Sequence, residues 1–125
     1  MKQFILAVDF DNTIVDTDES VLRQPVIKGL RKDAKEILQK LHDEGHYIII
    51  NTCRNGGNLQ KAIDYLNENG VVYDIVNANH PDNVKKFKRD NRKIFADFYI
   101  DDKNIGGIPE WENIYNIIKV ASLKK

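Results

Sequence analysis

The chain has 125 residues, of which 42% are hydrophobic, a size and composition that predict one globular domain, residues 1–125, and leave no room for two. Its 19 lysines and arginines balance 19 aspartates and glutamates, so overall charge gives no strong case for binding nucleic acid or a membrane. The single cysteine, Cys53, excludes an intrachain disulfide, and no apolar segment suits a signal peptide or membrane span. We therefore expect a soluble, cytoplasmic protein, and its oligomeric state stays open.

The first apolar segment, residues 4–8, predicts a buried strand because five consecutive apolar residues end abruptly at polar ones. Asp9 and Asp11 follow it, with one residue between them. This is the end of a strand at which open α/β sheets bind their ligands. Residues 12–24 are polar and lack periodicity, so we predict a loop there.

Two strand-and-helix units are predicted next. Apolar residues at helical spacing predict a helix over residues 30–44, and the β-branched segment 47–50 predicts a strand that ends at Asn51 and Thr52. A second helix around residues 59–69 is closed by Gly70, and residues 71–76 predict a third strand. The second strand thus ends in a polar loop as the first one does.

The last third of the chain predicts one more strand between two helices. Residues 77–82 predict a turn, and the basic segment 85–93 predicts a short helix. A fourth strand ends at Asp101 and Asp102, so a second pair of carboxylates directly follows an apolar strand. Pro109 suits the first position of a final amphipathic helix that contains Trp111.

Strands that alternate with helices predict an α/β protein with a mostly parallel sheet and helices on both faces, a three-layer Rossmann-like fold. Right-handed crossovers would extend the sheet from the first strand to the third, and a reversal would place the fourth strand beside the first. The expected order is 3-2-1-4. In that order Asp9, Asp11, Asp101 and Asp102 converge in the crevice between the first and fourth strands.

Carboxylates in one crevice repel one another and raise each other's pKa unless a cation neutralises them. An all-oxygen set without neighbouring histidine or cysteine favours a hard ion, and Mg²⁺ is the usual choice where phosphate is also bound. We therefore predict a Mg²⁺ site that draws on Asp9, Asp11, Asp101 and Asp102.

The acidic segments also carry a family resemblance. Asp9-Phe10-Asp11-Asn12-Thr13 resembles the first motif of the haloacid dehalogenase-like (HAD) superfamily, in which Asp-x-Asp-x-Thr follows a hydrophobic strand. Thr52 matches the second motif, and Asp101-Asp102 matches the acidic fourth motif. Residues 93–102 are similar to a pattern found in small members, which makes Lys93 the third-motif lysine. The order and spacing of these motifs extend over residues 4–107.

The resemblance implies a Mg²⁺-dependent phosphatase, a phosphoric monoester hydrolase. Asp9 would be the nucleophile that forms an aspartyl-phosphate, and Asp11 would protonate the leaving oxygen and then activate water. The metal would lie between the Asp9 carboxylate, the Asp11 backbone carbonyl and Asp101, with Asp102 direct or through water. Thr52 and Lys93 would bind the phosphoryl oxygens.

Some assignments have alternatives that the sequence leaves open. Lys85, Lys86 and Lys88 also precede the second acidic pair and compete with Lys93 for the phosphate-binding role. Arg54, two residues after Thr52, is interpreted either as a clamp on the substrate or as a solvated loop arginine. The basic segment 85–93 is interpreted as a solvated surface, which could also meet an anionic substrate.

The spacing of the motifs leaves no room for the cap domain through which many members of this superfamily recognise small substrates. We therefore expect a capless protein whose open site suits a bulky phosphorylated substrate, or is covered by residues 13–24 or by a neighbouring subunit. The alternative function is a catalytically inactive HAD-like module that binds phosphate or a partner.

Overall fold

A computed structural model describes residues 1–20 and 24–124 of the chain. The strands are β1 (Ile5–Val8), β2 (Val15–Asp18), β3 (Val26–Leu30), β4 (Tyr47–Ile50), β5 (Ile75–Val76) and β6 (Phe98–Ile100). The helices are α1 (Ala34–Asp43), α2 (Gly56–Glu68), α3 (Pro81–Phe87) and α4 (Trp111–Leu123). Four strands form a parallel sheet in the order β5-β4-β1-β6, and β2 pairs with β3 in a separate antiparallel sheet. The protein is therefore α/β with a mostly parallel sheet.

The register of the sheet decides which polar residues meet at its carboxyl edge. Val8 of β1 is opposite Ile50 of β4 on one side and Ile100 of β6 on the other. The backbone N–H of Asp9 donates to the carbonyl oxygen of Ile100 at 2.9 Å, which continues the pairing of β1 with β6 by one step. The residues that directly follow β1, β4 and β6 consequently lie at the same edge of the sheet.

The two faces of the sheet are covered unequally. On one face, Leu6 and Val8 belong to a large buried cluster to which helices α1, α2 and α4 contribute, with side chains such as Leu38, Leu66 and Ile118. On the other face, a smaller cluster contains Ala7, Ile49 and Ile94, with Ile5, Tyr47, Ile75 and Ala96 packed against it. No residue of α3 is buried, so the segment that follows α3 supplies the cover of this second face.

The predicted loop over residues 12–24 is wrong at residues 15–18 and correct for the other residues of this range that the structure describes. Residues 15–18 form β2, which pairs with β3 through backbone hydrogen bonds, and residues 21–23 of the expected loop lie outside the described residues. Sequence periodicity could not show this, because only one residue of β2 is buried and its pattern is polar. The hairpin is held by this pairing and by an apolar side, since Val15 is buried in the main core and Ile27 and Leu30 pack against it.

Several helix and strand limits also differ from those predicted. Leu30 belongs to β3, and α1 begins at Ala34 after Asp33, which has a left-handed φ of 65°. The third strand is confined to residues 75–76 instead of 71–76. Helix α3 covers residues 81–87 instead of 85–93, because Lys88 adopts a left-handed φ of 62° and ends it. Helix α4 begins at Trp111, two residues after the proline expected at its first position.

In the part of the chain that the structure describes, no helix combines the length and the apolar character needed to cross a membrane.

Candidate functional site

Three carboxylates converge at the carboxyl edge of the parallel sheet. Asp9 directly follows β1, and Asp101 and Asp102 directly follow β6, the strand paired with β1. One oxygen of each carboxylate lies within 4.8 Å of the others, and all three residues are half-buried. We call this group the three-carboxylate cluster. Its geometry follows from two adjacent parallel strands that end in acids at the same level.

The environment of Asp9 disfavours its charged form. Burial is the largest cause, followed by a side-chain hydrogen bond with Asp102 and by the negative charges of Asp101 and Asp102. A hydrogen bond with the backbone of Phe10 opposes these effects, and the pKa of Asp9 is raised from 3.8 to about 8. Without a bound cation, the negative charges of Asp9, Asp101 and Asp102 repel one another, and a cation bound between them would reduce this repulsion.

Thr13 connects two members of the cluster. Its fully buried hydroxyl lies 3.3 Å from Asp9 Oδ2 and 3.5 Å from Asp102 Oδ1, and it accepts a hydrogen bond from the Asp102 backbone N–H at 3.1 Å. Trp111 of α4 holds the same residue by donating its indole N–H to the Thr13 carbonyl at 2.8 Å. The sequence contained the signal, since Thr13 ends the Asp-x-Asp-x-Thr motif, but no role was predicted for it.

Asp11 lies outside the three-carboxylate cluster, in an ion pair with Arg54. The Arg54 guanidinium donates to both oxygens of Asp11, at 2.9 Å from Nε and 2.7 Å from Nη2, and the Thr17 hydroxyl adds a third hydrogen bond at 2.7 Å. Burial raises the pKa of Asp11, but the hydrogen bonds from Arg54 and Thr17 and the charges of Arg54 and Lys103 outweigh it and lower that pKa. Asp11 is thus held as a carboxylate.

Arg54 is buried, and its side chain donates three hydrogen bonds, two of them to Asp11. Only 4% of its side chain is exposed; its Nη1 donates to the carbonyl oxygen of Asn58 at 3.1 Å. The guanidinium carbon lies 5.1 Å from the centre of the Phe10 ring. The alternative interpretation of Arg54 as a solvated loop arginine is therefore wrong. A planar guanidinium with several donors in fixed positions suits recognition of a carboxylate or of a phosphate.

Thr52 lies at the same edge of the sheet, after β4. Its backbone N–H donates to Asn77 Oδ1 at 2.8 Å, and its hydroxyl accepts a hydrogen bond from the Arg54 backbone N–H at 3.1 Å. Since β4 is the neighbour of β1 on the side away from β6, Thr52 approaches Asp9 from the opposite side to Asp101.

The lysines are distributed differently from the acids. The Lys93 ammonium lies 5.8 Å from the centre of the Tyr99 ring, and Lys93 is exposed on the segment that covers the second face of the sheet. Lys85 and Lys86 belong to α3, and Lys88 directly follows it. The lysine next to the three-carboxylate cluster is Lys103, whose Nζ lies 3.9 Å from Asp102 Oδ2. Sequence reasoning missed Lys103, although its position directly after the acidic pair was a usable signal.

The backbone around the first motif turns sharply at Asn12. This residue has a left-handed φ of 57°, a conformation that asparagine tolerates better than most residues. Its side-chain oxygen accepts a hydrogen bond from the Thr17 N–H at 3.1 Å, and its carbonyl accepts one from Arg31 at 2.9 Å. The turn directly follows Asp11 and brings the chain back, so that the Thr17 hydroxyl reaches the Asp11 carboxylate. Thr17 could not be found from sequence, because the strand that places it was not predicted.

A solved structure is similar to this chain over nearly its whole length. No protein-family model matches the chain, and neither does any curated protein. A solved structure of a conserved protein from Bacteroides thetaiotaomicron matches with a TM-score of 0.79 and 35% sequence identity, over 99% of this chain and 99% of that one. At this identity and coverage the two proteins share their whole architecture. The chain belongs to the same family as this conserved Bacteroides thetaiotaomicron protein.

Proposed function

We propose that the protein is a Mg²⁺-dependent phosphomonoester hydrolase of the HAD type, which acts through an aspartyl-phosphate on Asp9. The observation that carries the proposal is the three-carboxylate cluster, in which oxygens of Asp9, Asp101 and Asp102 lie within 4.8 Å of one another. The cluster lies beyond the carboxyl ends of two adjacent parallel strands, where open α/β sheets bind ligands.

The donor set fits a hard divalent cation. Three carboxylates offer oxygen ligands only, and a bound cation would oppose both effects that raise the pKa of Asp9, burial first and then the neighbouring acids Asp101 and Asp102. Asp9, Asp101 and Asp102 would hold Mg²⁺. When bound, the ion would neutralise the carboxylates and polarise the phosphoryl group as a Lewis acid. We had also expected Asp11 in the ligand set, and the observed pairing of its side chain with Arg54 leaves only its backbone carbonyl for that role.

Asp9 is the proposed nucleophile because it belongs to the cluster and begins the Asp-x-Asp-x-Thr motif. Its carboxylate oxygen would attack phosphorus, the bond from phosphorus to the leaving oxygen would break, and water would later cleave the acyl phosphate to release inorganic phosphate. The Thr13 hydroxyl, 3.3 Å from Asp9 Oδ2, would keep this carboxylate in one orientation during both steps.

Asp11 is the proposed proton carrier. Arg54 and Thr17 favour its carboxylate form, which suits removal of a proton from the hydrolytic water. Donation of a proton to the leaving oxygen requires the acid form of Asp11. A substrate phosphoryl group that accepts hydrogen bonds from Arg54 would weaken the ion pair and free Asp11 for that step, since a guanidinium binds phosphate as readily as carboxylate.

Thr52 and a lysine would complete the phosphate site. Thr52 remains the proposed hydroxyl donor to the phosphoryl oxygens. Lys93 was the expected lysine, with Lys85, Lys86 and Lys88 as alternatives. Lys103 is now a further candidate, supported by the distance of 3.9 Å between its Nζ and Asp102 Oδ2 and by a side chain that is 78% exposed and able to reach a ligand. Replacement of Lys93 or Lys103 by glutamine, assayed separately, distinguishes the two.

The finer expectations about architecture and substrate belong to this proposal. We infer a three-layer arrangement in which α3 and the segment after it form the layer on the second face, and a capless site that admits a bulky phosphorylated substrate. The hairpin of β2 and β3 begins beside Asp11 and contributes Thr17 to the site. A cytoplasmic location remains a prediction from composition.

The test is release of phosphate from para-nitrophenyl phosphate by the purified full chain, with Mg²⁺ and with excess chelator. We expect activity that requires Mg²⁺, and loss of turnover to background in Asp9→Asn. Asp11→Asn should lose about 10²–10⁴-fold in rate, the usual contribution of a general acid or base. Asp64→Asn, an exposed acid on α2, is the matched control and should keep full activity.

A panel of nucleotides, sugar phosphates and 3′- or 5′-phosphorylated oligonucleotides would then identify the substrate class. A protein that binds Mg²⁺ by calorimetry but releases no phosphate from any member of the panel would be the inactive binding module. Unchanged turnover in Asp9→Asn would reject Asp9 as the nucleophile.

A further inference from the structure

Residues 85–99, which run from the end of α3 to β6, carry positive charge and exposed aromatic rings. Six cationic residues fall between positions 85 and 93, namely Lys85, Lys86, Lys88, Arg89, Arg92 and Lys93, and every one of them is exposed. Three aromatic residues in or beside this segment, Phe87, Phe95 and Tyr99, are 45%, 48% and 41% exposed. We call these nine residues the basic-aromatic surface. Because the overall charge of the chain is zero, composition alone does not reveal this surface.

The positive charge of this surface is not cancelled locally. None of the ion pairs formed among residues 1–20 and 24–124 involves any of the six cations. The one carboxylate between positions 85 and 93, Asp90, is exposed and accepts hydrogen bonds from the side-chain amide of Asn79 at 2.8 Å and from its backbone N–H at 3.2 Å, so residues 85–93 hold six cations and one carboxylate. The next acidic residue along the chain, Asp97, accepts a hydrogen bond from the Ile5 backbone N–H at 2.8 Å.

The segment is held in one shape by a buried side chain. Asn79 is only 4% exposed, and besides its bonds to Asp90 it donates to the Asn91 carbonyl at 3.0 Å and accepts from the Phe95 backbone N–H at 2.7 Å. Ile94 is buried against the sheet between these contacts. An open pocket of about 420 Å³ lies at the turn, lined by Arg89, Asp90, Asn91 and Arg92. The cations are therefore displayed on a fixed frame, which lowers the entropy cost of binding a ligand.

Two of the exposed rings each have a cation over one face. The Lys86 ammonium lies 5.6 Å from the centre of the Phe87 ring, and the Lys93 ammonium lies 5.8 Å from the centre of the Tyr99 ring. A nucleotide offers a flat aromatic base and a phosphate within one residue, so a ring with a neighbouring cation matches both parts at once.

We propose that the basic-aromatic surface binds single-stranded nucleic acid, with its cations on the phosphates and with Phe87, Phe95 and Tyr99 as stacking platforms for unpaired bases. The surface is continuous with β6, since Tyr99 lies two residues before Asp101. The binding does not rest on the proposed phosphatase activity, because none of the carboxylates of the cluster takes part in it.

The test is fluorescence anisotropy of the full chain with a labelled 12-nucleotide oligothymidylate, over a series of salt concentrations. We expect saturable binding that weakens with salt. The double variant Lys85→Gln, Arg92→Gln should bind at least tenfold more weakly at low salt, and the slope of log affinity against log salt should fall by about 1.4, at about 0.7 per phosphate contact in a single strand. The matched control Lys35→Gln, Lys61→Gln removes the same charge from α1 and α2 and should bind like the unmodified protein.

The aromatic residues provide the second measurement. Phe87→Ala and Phe95→Ala should each weaken binding of the oligothymidylate at least fivefold without changing the salt slope, because stacking is not electrostatic. A 12-base-pair duplex should bind more weakly than the single strand. Thermal unfolding of every variant verifies that it is folded.

Three outcomes would overturn the proposal: no binding at low salt, an equal loss of affinity in the control variant, or competition by polyglutamate or phosphatidylserine vesicles as strong as that by the oligonucleotide with no effect of Phe87→Ala or Phe95→Ala. The last outcome would assign the surface to another polyanion. Loss of phosphatase activity in Asp9→Asn with unchanged oligonucleotide binding would show that the two properties are separate.

Discussion

The two acids of the first motif are only two residues apart, yet they belong to regions with opposite electrostatics. Asp9 lies among Asp101 and Asp102, where burial and like charges raise its pKa to about 8. Asp11 lies against Arg54 and Thr17, which lower its pKa although burial opposes them. The difference shows that the chemical role of a carboxylate is decided by the strand or loop it faces, not by its residue type or its position in the motif.

The largest expected difference between the Asp9 region and the Asp11 region is that Asp9 makes the stability of the protein depend on pH when no divalent cation is bound. Because the pKa of Asp9 is raised in the folded protein, its contribution to stability is complete below about pH 4 and is lost as the pH rises through about 8. The free energy of unfolding in chelator should therefore fall across this range, and Asp9→Asn should reduce the fall. Urea unfolding at several pH values measures it. If the free energy of unfolding changed with pH equally in the unmodified protein and in Asp9→Asn, Asp9 would not be the group responsible for the fall.

Mg²⁺ should stabilise the protein by neutralising the repulsion within the three-carboxylate cluster, and should leave the ion pair between Asp11 and Arg54 unchanged. At a Mg²⁺ concentration 100 times the dissociation constant, linkage predicts about 2.7 kcal/mol of additional stability. Asp101→Asn should lose this gain, and its amide oxygen can still accept the existing bond from the Lys103 N–H. Thermal unfolding with and without Mg²⁺ is the measurement, and Asp64→Asn should respond like the unmodified protein. Equal stabilisation of Asp101→Asn would place the ion elsewhere.

Removal of Arg54 should damage the second region. Arg54→Gln leaves the half-buried Asp11 carboxylate without its bidentate partner and should cost about 2 kcal/mol of unfolding free energy, typical of hydrogen bonds to charged groups. The double variant Asp11→Asn, Arg54→Gln should be more stable than the sum of the single effects predicts, since it removes both members of the pair. Simple additivity in urea unfolding would show that the pair is not coupled.

A smaller effect is expected at Glu44, a carboxylate outside the site that serves as a reference. Its side chain accepts a hydrogen bond from Lys119 at 2.8 Å and one from Tyr115 at 3.2 Å. Burial raises the pKa of Glu44, but these bonds and the Lys119 charge lower it by more, so its contribution is present above about pH 4.5 and is lost as the pH falls.

Lys119→Met should therefore lower the free energy of unfolding slightly at pH 7, because exposed ion pairs contribute little, and this difference from the unmodified protein should shrink towards pH 3. Lys61→Met, at an exposed position on α2, should show no such pH dependence. A cost in Lys119→Met that is constant with pH would mean that packing, rather than the ion pair, is lost.

The sequence was informative wherever an apolar strand ends abruptly. Strands β1, β4 and β6 were found because apolar residues give way to Asp9, Asn51 and Asp101, and parallel strands end at one edge. That argument predicted that Asp101 and Asp102 would meet Asp9 and Asp11. The structure brings Asp9, Asp101 and Asp102 together, whereas the Asp11 side chain pairs with Arg54 instead. The same argument failed for the third strand, whose pairing begins only near Asp74, where the backbone N–H donates to the Ile48 carbonyl at 2.9 Å.

Other features depend on contacts between distant parts of the chain. Strand β2 has a mostly polar pattern, so periodicity did not predict the hairpin that it forms with β3. Thr17 and Arg54 reach Asp11 from that hairpin and from the loop after β4, and Arg54 is 43 residues away from Asp11. Lys93 was chosen by its distance from a strand end, but its segment lies against the second face, beside Tyr99.

The sequence by itself determined the α/β class, the parallel sheet and the meeting of three acids at its edge, because burial of apolar strands leaves few arrangements for the polar residues that follow them. Only the tertiary structure decided that Asp11 turns to Arg54 while Asp9 turns to the cluster, and that the basic residues share a surface with exposed rings. Those outcomes depend on the contact between Asp11 and Arg54, which are 43 residues apart, and on the hydrogen bonds of Asn79, contacts that composition and periodicity do not encode.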